Sequence, residues 1–244
     1  MQDCYVGDIG DYGKYGLLRQ ICKSGLSLSV NWYKVTPLQK GKQDDGKFIS
    51  YLHCSDIYKE YDSELFDALY RIVVIENDKT IRRIENEKLF IADYFSHDMG
   101  VDRDNRHRSA LEQTKDAQVV FLDPDNGLET AVMNSHGKCT EKHVRWQELK
   151  DYYDRGQNVI LYQHRPQMTK KEKCISDIMS FNDTFLRADY IKLLEFPKYT
   201  NRFYFMFIHE EYGENFDVLC KQMSEKWGRN GFCREIKVNH KEKI

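Results

Sequence analysis

The chain lacks the features that would place it in a membrane or give it a strong overall attraction to a charged partner. No apolar run in its 244 residues approaches the length of a membrane span. Met1-Gln2-Asp3-Cys4 lacks the basic and apolar regions of a signal peptide. The net charge is only -2, so a nucleic-acid partner would have to be held by a local basic patch. We therefore expect a cytoplasmic protein without a membrane partner, and the sequence leaves the oligomeric state open.

The cysteines also exclude two common kinds of site. All 7 cysteines stand singly, and no two of them form a CxxC pair, so a zinc ribbon or a thioredoxin-like site is not expected. Reduced thiols in the cytoplasm are the simpler interpretation. The chain has no internal repeat, low-complexity tract or obvious linker, and 41% of its residues are hydrophobic. We therefore expect one domain over residues 1–244.

The order of the predicted elements indicates the fold class. Strands are predicted at 27–35, 72–75, 89–95, 118–123, 158–163, 189–195, 202–209 and 232–238, and helices at 14–23, 63–71, 103–115, 141–154, 168–182 and 214–227. Alternation of strands and helices in the second half implies a parallel sheet covered by helices. The short link before residue 202 implies an antiparallel hairpin at the sheet edge. The prediction is an α/β, Rossmann-like fold with a mostly parallel sheet.

The most informative segment, 119–129, reads as a buried strand that ends in a polar turn. Four apolar residues lead to Asp123, and Gly127 permits a tight turn. Ligands bind at the carboxyl ends of strands in open α/β sheets, so the acidic residues Asp123, Asp125 and Glu129 fall where chemistry usually occurs. The candidate catalytic residues of this turn are Asp123, Asp125 and Asn126. A capped turn that leads into a helix would also use such residues, since they satisfy backbone donors.

A second candidate segment is the glycine-rich stretch 5–19. Four glycines in ten residues would let the backbone approach a ligand closely. Asp11 could cap the helix that begins here, the helix N-terminus could receive an anion, and Lys14 could add a positive charge. The stretch is not a Walker A loop, because the GK[ST] ending is missing and no strand precedes it. Close docking of a capped helix would explain the glycines equally well.

A third cluster, 162–166, follows the next predicted strand, whose end should lie beside that of Asp123. His164 could be an acid–base group or a metal ligand, and Arg165 could hold a phosphate. A lone histidine is also often structural. The acidic segment 43–47 could bind a metal or a hydroxyl-rich ligand, or be a charged loop. The segment 136–146 could guide a nucleic-acid backbone, or begin a helix with Trp146 in the core.

Two of these segments resemble a known family, the Rossmann-like methyltransferases that modify adenine N6 in nucleic acids, especially those of the RlmJ type. Residues 7–18, with Asp11 and Lys14, are similar to the family's opening GN-x-x-D-x-x-K-H-x-x-L. The strand end Asp123-Pro124-Asp125-Asn126 resembles its catalytic DPPY or DPPF motif. The elements after that strand are also similar: a helix, a strand, a helix and a terminal antiparallel pair. The resemblance covers 1–35 loosely and 118–209 moderately.

The resemblance implies a reaction and a cofactor. A base amino group would attack the methyl group of S-adenosylmethionine, while Asp123 and Asn126 accept hydrogen bonds from that amino group. The residues implied to line the cofactor pocket are Gly7, Asp8, Asp11, Lys14 and Asn31. The chain departs from the family at three places: residues 31–37 contain no glycine, Asp125 replaces a proline, and Asn126 replaces the aromatic residue that stacks on the target base.

Two alternatives remain open from the residues themselves. In a metal-dependent nuclease or phosphohydrolase, Asp123, Asp125 and Glu129, with Asp8 or Asp44, would hold Mg²⁺ or Mn²⁺, which prefer carboxylate ligands. The metal would activate water and clamp a phosphate, while His164 and its neighbour Arg165 handled protons and charge. The third hypothesis is a non-catalytic binding protein that keeps the same scaffold.

Overall fold

The computed structural model describes residues 1–35, 46–100, 102–166 and 168–238. Most of the acidic segment 43–47, including Asp44, therefore lies outside the described residues. The strands are β1 (Leu28–Asn31), β2 (Asp93–Phe95), β3 (Val119–Leu122), β4 (Gly127–Leu128), β5 (His143–Val144), β6 (Asn158–His164), β7 (Tyr190–Phe196), β8 (Arg202–Ile208) and β9 (Arg234–Glu235). The helices are α1 (Ile9–Lys23), α2 (Ser55–Tyr58), α3 (Ser63–Tyr70), α4 (Ile81–Glu87), α5 (Arg103–Gln113), α6 (Ala131–Ser135), α7 (Trp146–Asp154), α8 (Lys171–Phe181) and α9 (Gly213–Trp227).

Within the described residues, seven strands form one mixed sheet in the order β2-β1-β3-β6-β8-β7-β9. The first four are parallel, as predicted, and β6, β8, β7 and β9 pair antiparallel. The predicted hairpin of β7 and β8 is present. The hairpin does not lie at the very edge of the sheet, because β8 lies between β6 and β7 and the short β9 pairs with part of β7. The α/β class and the parallel core are confirmed, and the sheet as a whole is mixed.

Apolar side chains cover both faces of the sheet, which explains the continuous apolar runs in its central strands. Successive residues of a strand point to opposite faces, so Phe121 joins one apolar cluster and Val120 the other. The first cluster includes residues of α1, α3 and α9, and the second includes residues of α7 and α8. No helix in the described residues combines the length and apolar character needed to cross a membrane.

The strand prediction for 72–75 is wrong. These residues belong to a wide helical turn, Arg71–Ile75, that continues α3, and Ile72 and Val73 are buried. A short apolar run does not by itself distinguish a buried strand from a buried helical turn. Other elements are also shorter than predicted, most clearly β1, β2, β9 and α7, which begins only at Trp146 because β5 precedes it.

Glycines let α1 approach its neighbours closely. The helix begins at Ile9, five residues earlier than predicted, and Gly10, Gly13 and Gly16 share one face at a spacing of three residues. A Cβ atom would lie 2.2 Å from Arg202 at the first position, 2.6 Å from Phe196 at the second and 2.1 Å from Trp227 at the third. Side chains of this protein thus occupy the space that these glycines leave, and α1 is held against the hairpin of β7 and β8.

Candidate functional site

A cavity of about 240 Å³ lies where α1 begins, beside the ends of β3 and β6 and the start of β8. Its lining includes all four predicted catalytic residues: Asp123, Asp125, Asn126 and His164. It also includes three of the five predicted cofactor residues: Asp8, Asp11 and Lys14. The expected juxtaposition of two strand ends is confirmed, because β3 and β6 pair in parallel with Leu122 opposite Leu161.

Lys14 is a buried cation on the wall of this cavity. Its Nζ lies 2.8 Å from a carboxylate oxygen of Asp11 and 2.8 Å from one of Asp123. Burial alone would lower the pKa of Lys14, but the two carboxylates outweigh burial and raise it above the ordinary range. Lys14 therefore stays charged and fixes the orientation of the Asp123 carboxylate.

Asp123 and Asp125 lie in different electrostatic environments, although only one residue separates them. Burial raises the pKa of Asp123, and the attraction of Lys14 and of the Met1 amino group opposes this rise. Asp125 lies 2.9 Å from the Met1 amino group and accepts a 2.6 Å hydrogen bond from Gln2. Burial would raise the pKa of Asp125 too, but these two partners lower it. Cations thus neutralise both carboxylates of the predicted catalytic turn.

Asp8, and not Asp11, caps α1. Its side chain accepts a 2.9 Å hydrogen bond from the Asp11 amide, and its other oxygen lies 3.3 Å from Arg202. Burial raises the pKa of Asp8 despite the attraction of Arg202. The Asp11 carboxylate instead accepts hydrogen bonds from the Gly7 amide at 3.1 Å and the Tyr15 hydroxyl at 2.7 Å. The Asp11 carboxylate is thus fully hydrogen-bonded within the protein, whereas the ion pair of Asp8 with Arg202 is longer.

Several polar side chains that line the cavity form no hydrogen bond with the described residues. The Tyr204 hydroxyl is buried and has no hydrogen-bond partner. The Asn126 amide group and the His164 imidazole form no hydrogen bond with any described residue, although both line the cavity. Burial lowers the pKa of His164, and Arg202 and Arg165 lower it further, so the imidazole is neutral at pH 7. A neutral histidine can accept a proton.

The residues that β8 contributes to the cavity were not among those predicted from the sequence. Because β8 runs antiparallel to β6, its amino end meets the carboxyl end of β6, and Arg202 lies opposite His164. Arg202 and Tyr204 both line the cavity, as does Thr200 just before the strand. The signal in the sequence was Arg202, which begins an otherwise apolar strand. Which residues Arg202 lies beside depends on the strand with which β8 pairs, and the sequence does not specify that strand.

Gly7 and Asn31 do not line the cavity. Gly7 has a φ of +74°, and its carbonyl accepts a 3.1 Å hydrogen bond from Tyr51. Asn31 is buried, with its amide donating to the Tyr152 hydroxyl at 3.0 Å and its side-chain oxygen accepting from Arg106 at 3.0 Å. These interactions hold the side chain of Asn31 among residues of the protein itself.

Glu129, the third predicted metal ligand, also lies outside the cavity wall. Its carboxylate accepts hydrogen bonds from the Trp146 amide at 2.7 Å and from Asn134 at 3.1 Å. Trp146 packs on Phe181 at the start of α7, with ring centroids 5.2 Å apart. Glu129 thus stabilises the beginning of a helix. Among the described residues, no group of three or more His, Cys, Asp or Glu side chains is arranged to hold a metal ion.

The turn after β1 has no glycine, but Tyr33 adopts a conformation that favours glycine. Its φ is +44°, which is strained for a bulky residue. The Tyr33 hydroxyl donates to Glu148 at 3.1 Å, and the Arg106 guanidinium lies 5.0 Å from the ring centroid. Packing and hydrogen bonding of the tyrosine thus hold the turn in place.

Comparison of the chain with protein-family models, curated proteins and solved structures gives no match.

Proposed function

We propose that this chain is a nucleic-acid-modifying enzyme that transfers a methyl group from S-adenosylmethionine to an amino group of a base. One observation carries the proposal: the predicted catalytic turn and the predicted cofactor segment, more than 100 residues apart, line the same cavity. Their direct link is the ion pair of Lys14 with Asp123. The antiparallel pair that follows β6 and α8 adds support, because the resemblance includes that order.

The residues of the cavity have distinct parts in this reaction. The Asn126 amide oxygen is free to accept a hydrogen bond from the base amino group, which would orient the nitrogen lone pair. Asp123 is held by Lys14 and adds a second acceptor. His164 is neutral at pH 7 and is the group suited to take the proton that the amino group releases.

The cavity also has groups that suit the cofactor. S-adenosylmethionine would supply a methyl group on a positively charged sulfur. Asp8, whose ion pair with Arg202 is as long as 3.3 Å, would hold the cofactor's ammonium group. The buried Tyr204 hydroxyl, which lacks a partner in the protein, would bind one of its polar groups.

The metal-dependent hydrolase has less support. Asp123 and Asp125 line the cavity, but Lys14 and the Met1 amino group already neutralise them. The third carboxylate, Glu129, is bonded to the start of α7. Mg²⁺ or Mn²⁺ would have to displace these partners in order to bind.

A cytoplasmic location forms part of the same proposal. All seven cysteines are free thiols, which suits a reducing compartment.

Isothermal titration with S-adenosylmethionine, followed by transfer of its radiolabelled methyl group to RNA or DNA, tests the proposal. We expect binding heat, incorporated label, and loss of transfer in Asn126→Ala with cofactor affinity retained. Asn105→Ala, a matched change on the exposed start of α5, should transfer normally. Absence of both binding heat and label would refute the proposal. Cleavage of the nucleic acid only when Mg²⁺ or Mn²⁺ is added would instead support the hydrolase.

A further inference from the structure

Asn126 leaves the catalytic turn without a ring on which a base can stack. Its amide can form hydrogen bonds but offers no aromatic face. A base taken out of its stack loses the contacts of its neighbours, and base-modifying enzymes replace them with aromatic or apolar side chains. If the proposed function is right, another part of the chain has to supply this surface.

Two aromatic rings at the mouth of the cavity meet this need. Phe48 lines the cavity, and its ring centroid lies 5.0 Å from that of Tyr199 at an interplanar angle of 33°. Tyr199 is 54% exposed, although many of the protein's tyrosines are buried. The two rings therefore form an aromatic surface that continues from the cavity wall towards solvent.

Tyr199 is held in a strained conformation. Its φ is +64°, a value that costs a bulky residue free energy and is frequent at ligand clamps. The next residue, Thr200, lines the cavity with a buried hydroxyl that has no partner. The exposed ring of Tyr199 and the unpaired hydroxyl of Thr200 thus belong to adjacent residues at one edge of the cavity.

Cationic side chains near these rings match the phosphates of a nucleic acid. Lys142 lines the cavity, is exposed and forms no ion pair with a described carboxylate. Lys198 immediately precedes Tyr199 and likewise has no ion-pair partner among the described residues. Single-stranded nucleic acids are bound by this combination of stacking rings and cations that follow the backbone.

We infer that Phe48 and Tyr199 stack on an unpaired base of single-stranded nucleic acid and direct its amino group towards Asn126. This inference rests on the proposed function, because it names the substrate form that the same cavity would accept. Lys142, which lines the same cavity as Phe48, contacts a backbone phosphate. A base within an intact duplex has both faces covered and cannot use this surface.

The test measures binding of a short single-stranded oligonucleotide that carries 2-aminopurine, a base whose fluorescence is quenched by stacking. RNA and DNA versions and a duplex control are titrated with the full chain. Tyr199→Asn removes the ring with a residue that tolerates the left-handed conformation. Phe48→Leu removes the other ring and keeps an apolar side chain. Tyr199→Phe keeps the ring and removes only the hydroxyl.

We expect the affinity for single strands to fall about tenfold in Tyr199→Asn and in Phe48→Leu, with reduced quenching. Tyr199→Phe should bind as the unchanged protein does. Tyr190→Asn, which removes a 41% exposed tyrosine ring from the opposite end of β7, should also bind normally. Thermal unfolding of each variant separates loss of the stacking surface from loss of the fold.

Retained affinity and quenching in both ring-removal variants would overturn the inference, as would an equal loss in Tyr190→Asn or preference for the duplex. Failure of the proposed function has a different signature: the oligonucleotide binds through both rings, but S-adenosylmethionine neither binds nor donates a methyl group. A protein that binds no single strand at all would refute the stacking surface even if the cofactor binds.

Discussion

Lys14 connects the two halves of the candidate site through a single side chain. Its ammonium lies between carboxylates from its own helix and from the end of β3, and all three groups are buried. Removing the cation would take from two buried carboxylates the ammonium group that they share. At this position, therefore, stability and site geometry depend on the same atoms.

Lys14→Met should lower the free energy of unfolding by about 3–5 kcal/mol, the usual cost of breaking a buried ion pair from one side. Chemical denaturation followed by circular dichroism measures the change. Lys23→Met, at an exposed lysine near the end of the same helix, should have a small effect. Equal effects of the two substitutions would show that the buried triad does not stabilise the protein.

His164 gives a pH dependence whose sign follows from its environment. Burial and the neighbouring arginines lower its pKa in the folded state from the ordinary value of 6.5. Between that value and the lower folded pKa, the unfolded chain binds more protons, so acidification destabilises the fold. We expect His164→Asn to gain stability relative to the unchanged protein as the pH falls from about 7 to about 5.

Denaturation curves at several pH values measure this difference directly. The stability of His164→Asn is compared with that of the unchanged protein at each pH, because Asp8 and Asp123 change the stability with pH in the opposite direction. Burial raises their pKa values, so their contribution is present at low pH and is lost as the pH rises through the folded value. Parallel pH curves for the two proteins would contradict the assignment for His164.

At the scale of elements, α1 depends on the glycines that face β7, β8 and α9. Alanine is the better helix former by about 1 kcal/mol, so an exposed glycine would gain stability from substitution. At Gly16 a Cβ atom would lie 2.1 Å from the Trp227 ring, which is itself fully buried. Steric conflict should therefore exceed the gain in helix propensity.

Gly16→Ala should destabilise the protein by about 1–3 kcal/mol, as overpacking of a core usually does. Gly213→Ala, at the start of α9, is the matched control, because its nearest atom would be 3.4 Å away. Thermal and denaturant unfolding compare the two variants. A stabilised Gly16→Ala would mean that α1 can move away from Trp227 without cost.

Some of the elements that form the site could be predicted from the sequence, and others could not. The end of β3 and the end of β6 were predictable to within a residue, because a continuous apolar run stops at Asp123 and at Gln163. The contribution of Arg202 was not, since it depends on which strands become neighbours. Asp8 and Asp11 are three residues apart at a helix start, and only the observed φ and ψ angles identify Asp8 as the cap.

On the scale of the whole molecule, charge is nearly balanced, with 37 basic and 39 acidic residues. Broad attraction to nucleic acid is therefore weak, and binding has to arise from the few cations at the cavity mouth. Each phosphate contact adds about 0.7 to the magnitude of the slope of log affinity against log salt concentration for single strands. The slope of log affinity against log salt concentration therefore gives the approximate number of phosphate contacts.

Lys142→Met should reduce the magnitude of that slope by about 0.7 while leaving the fold intact, because the side chain is exposed. Titration of a single-stranded oligonucleotide at several salt concentrations measures the slope. Lys173→Met removes another exposed lysine, on α8, and should leave it unchanged. An equal reduction in both variants would indicate diffuse attraction instead of a contact at the cavity.

The ion pair of Asp8 with Arg202 joins residues that are 194 positions apart. During translation, Asp8 emerges early and Arg202 only after most of the chain has been synthesised. The cavity is complete only after β8 has left the ribosome and paired with β6, because Arg202 and Tyr204 form part of its wall. A chain that terminates before β8 would therefore lack this wall even if it retained α1 and the parallel strands.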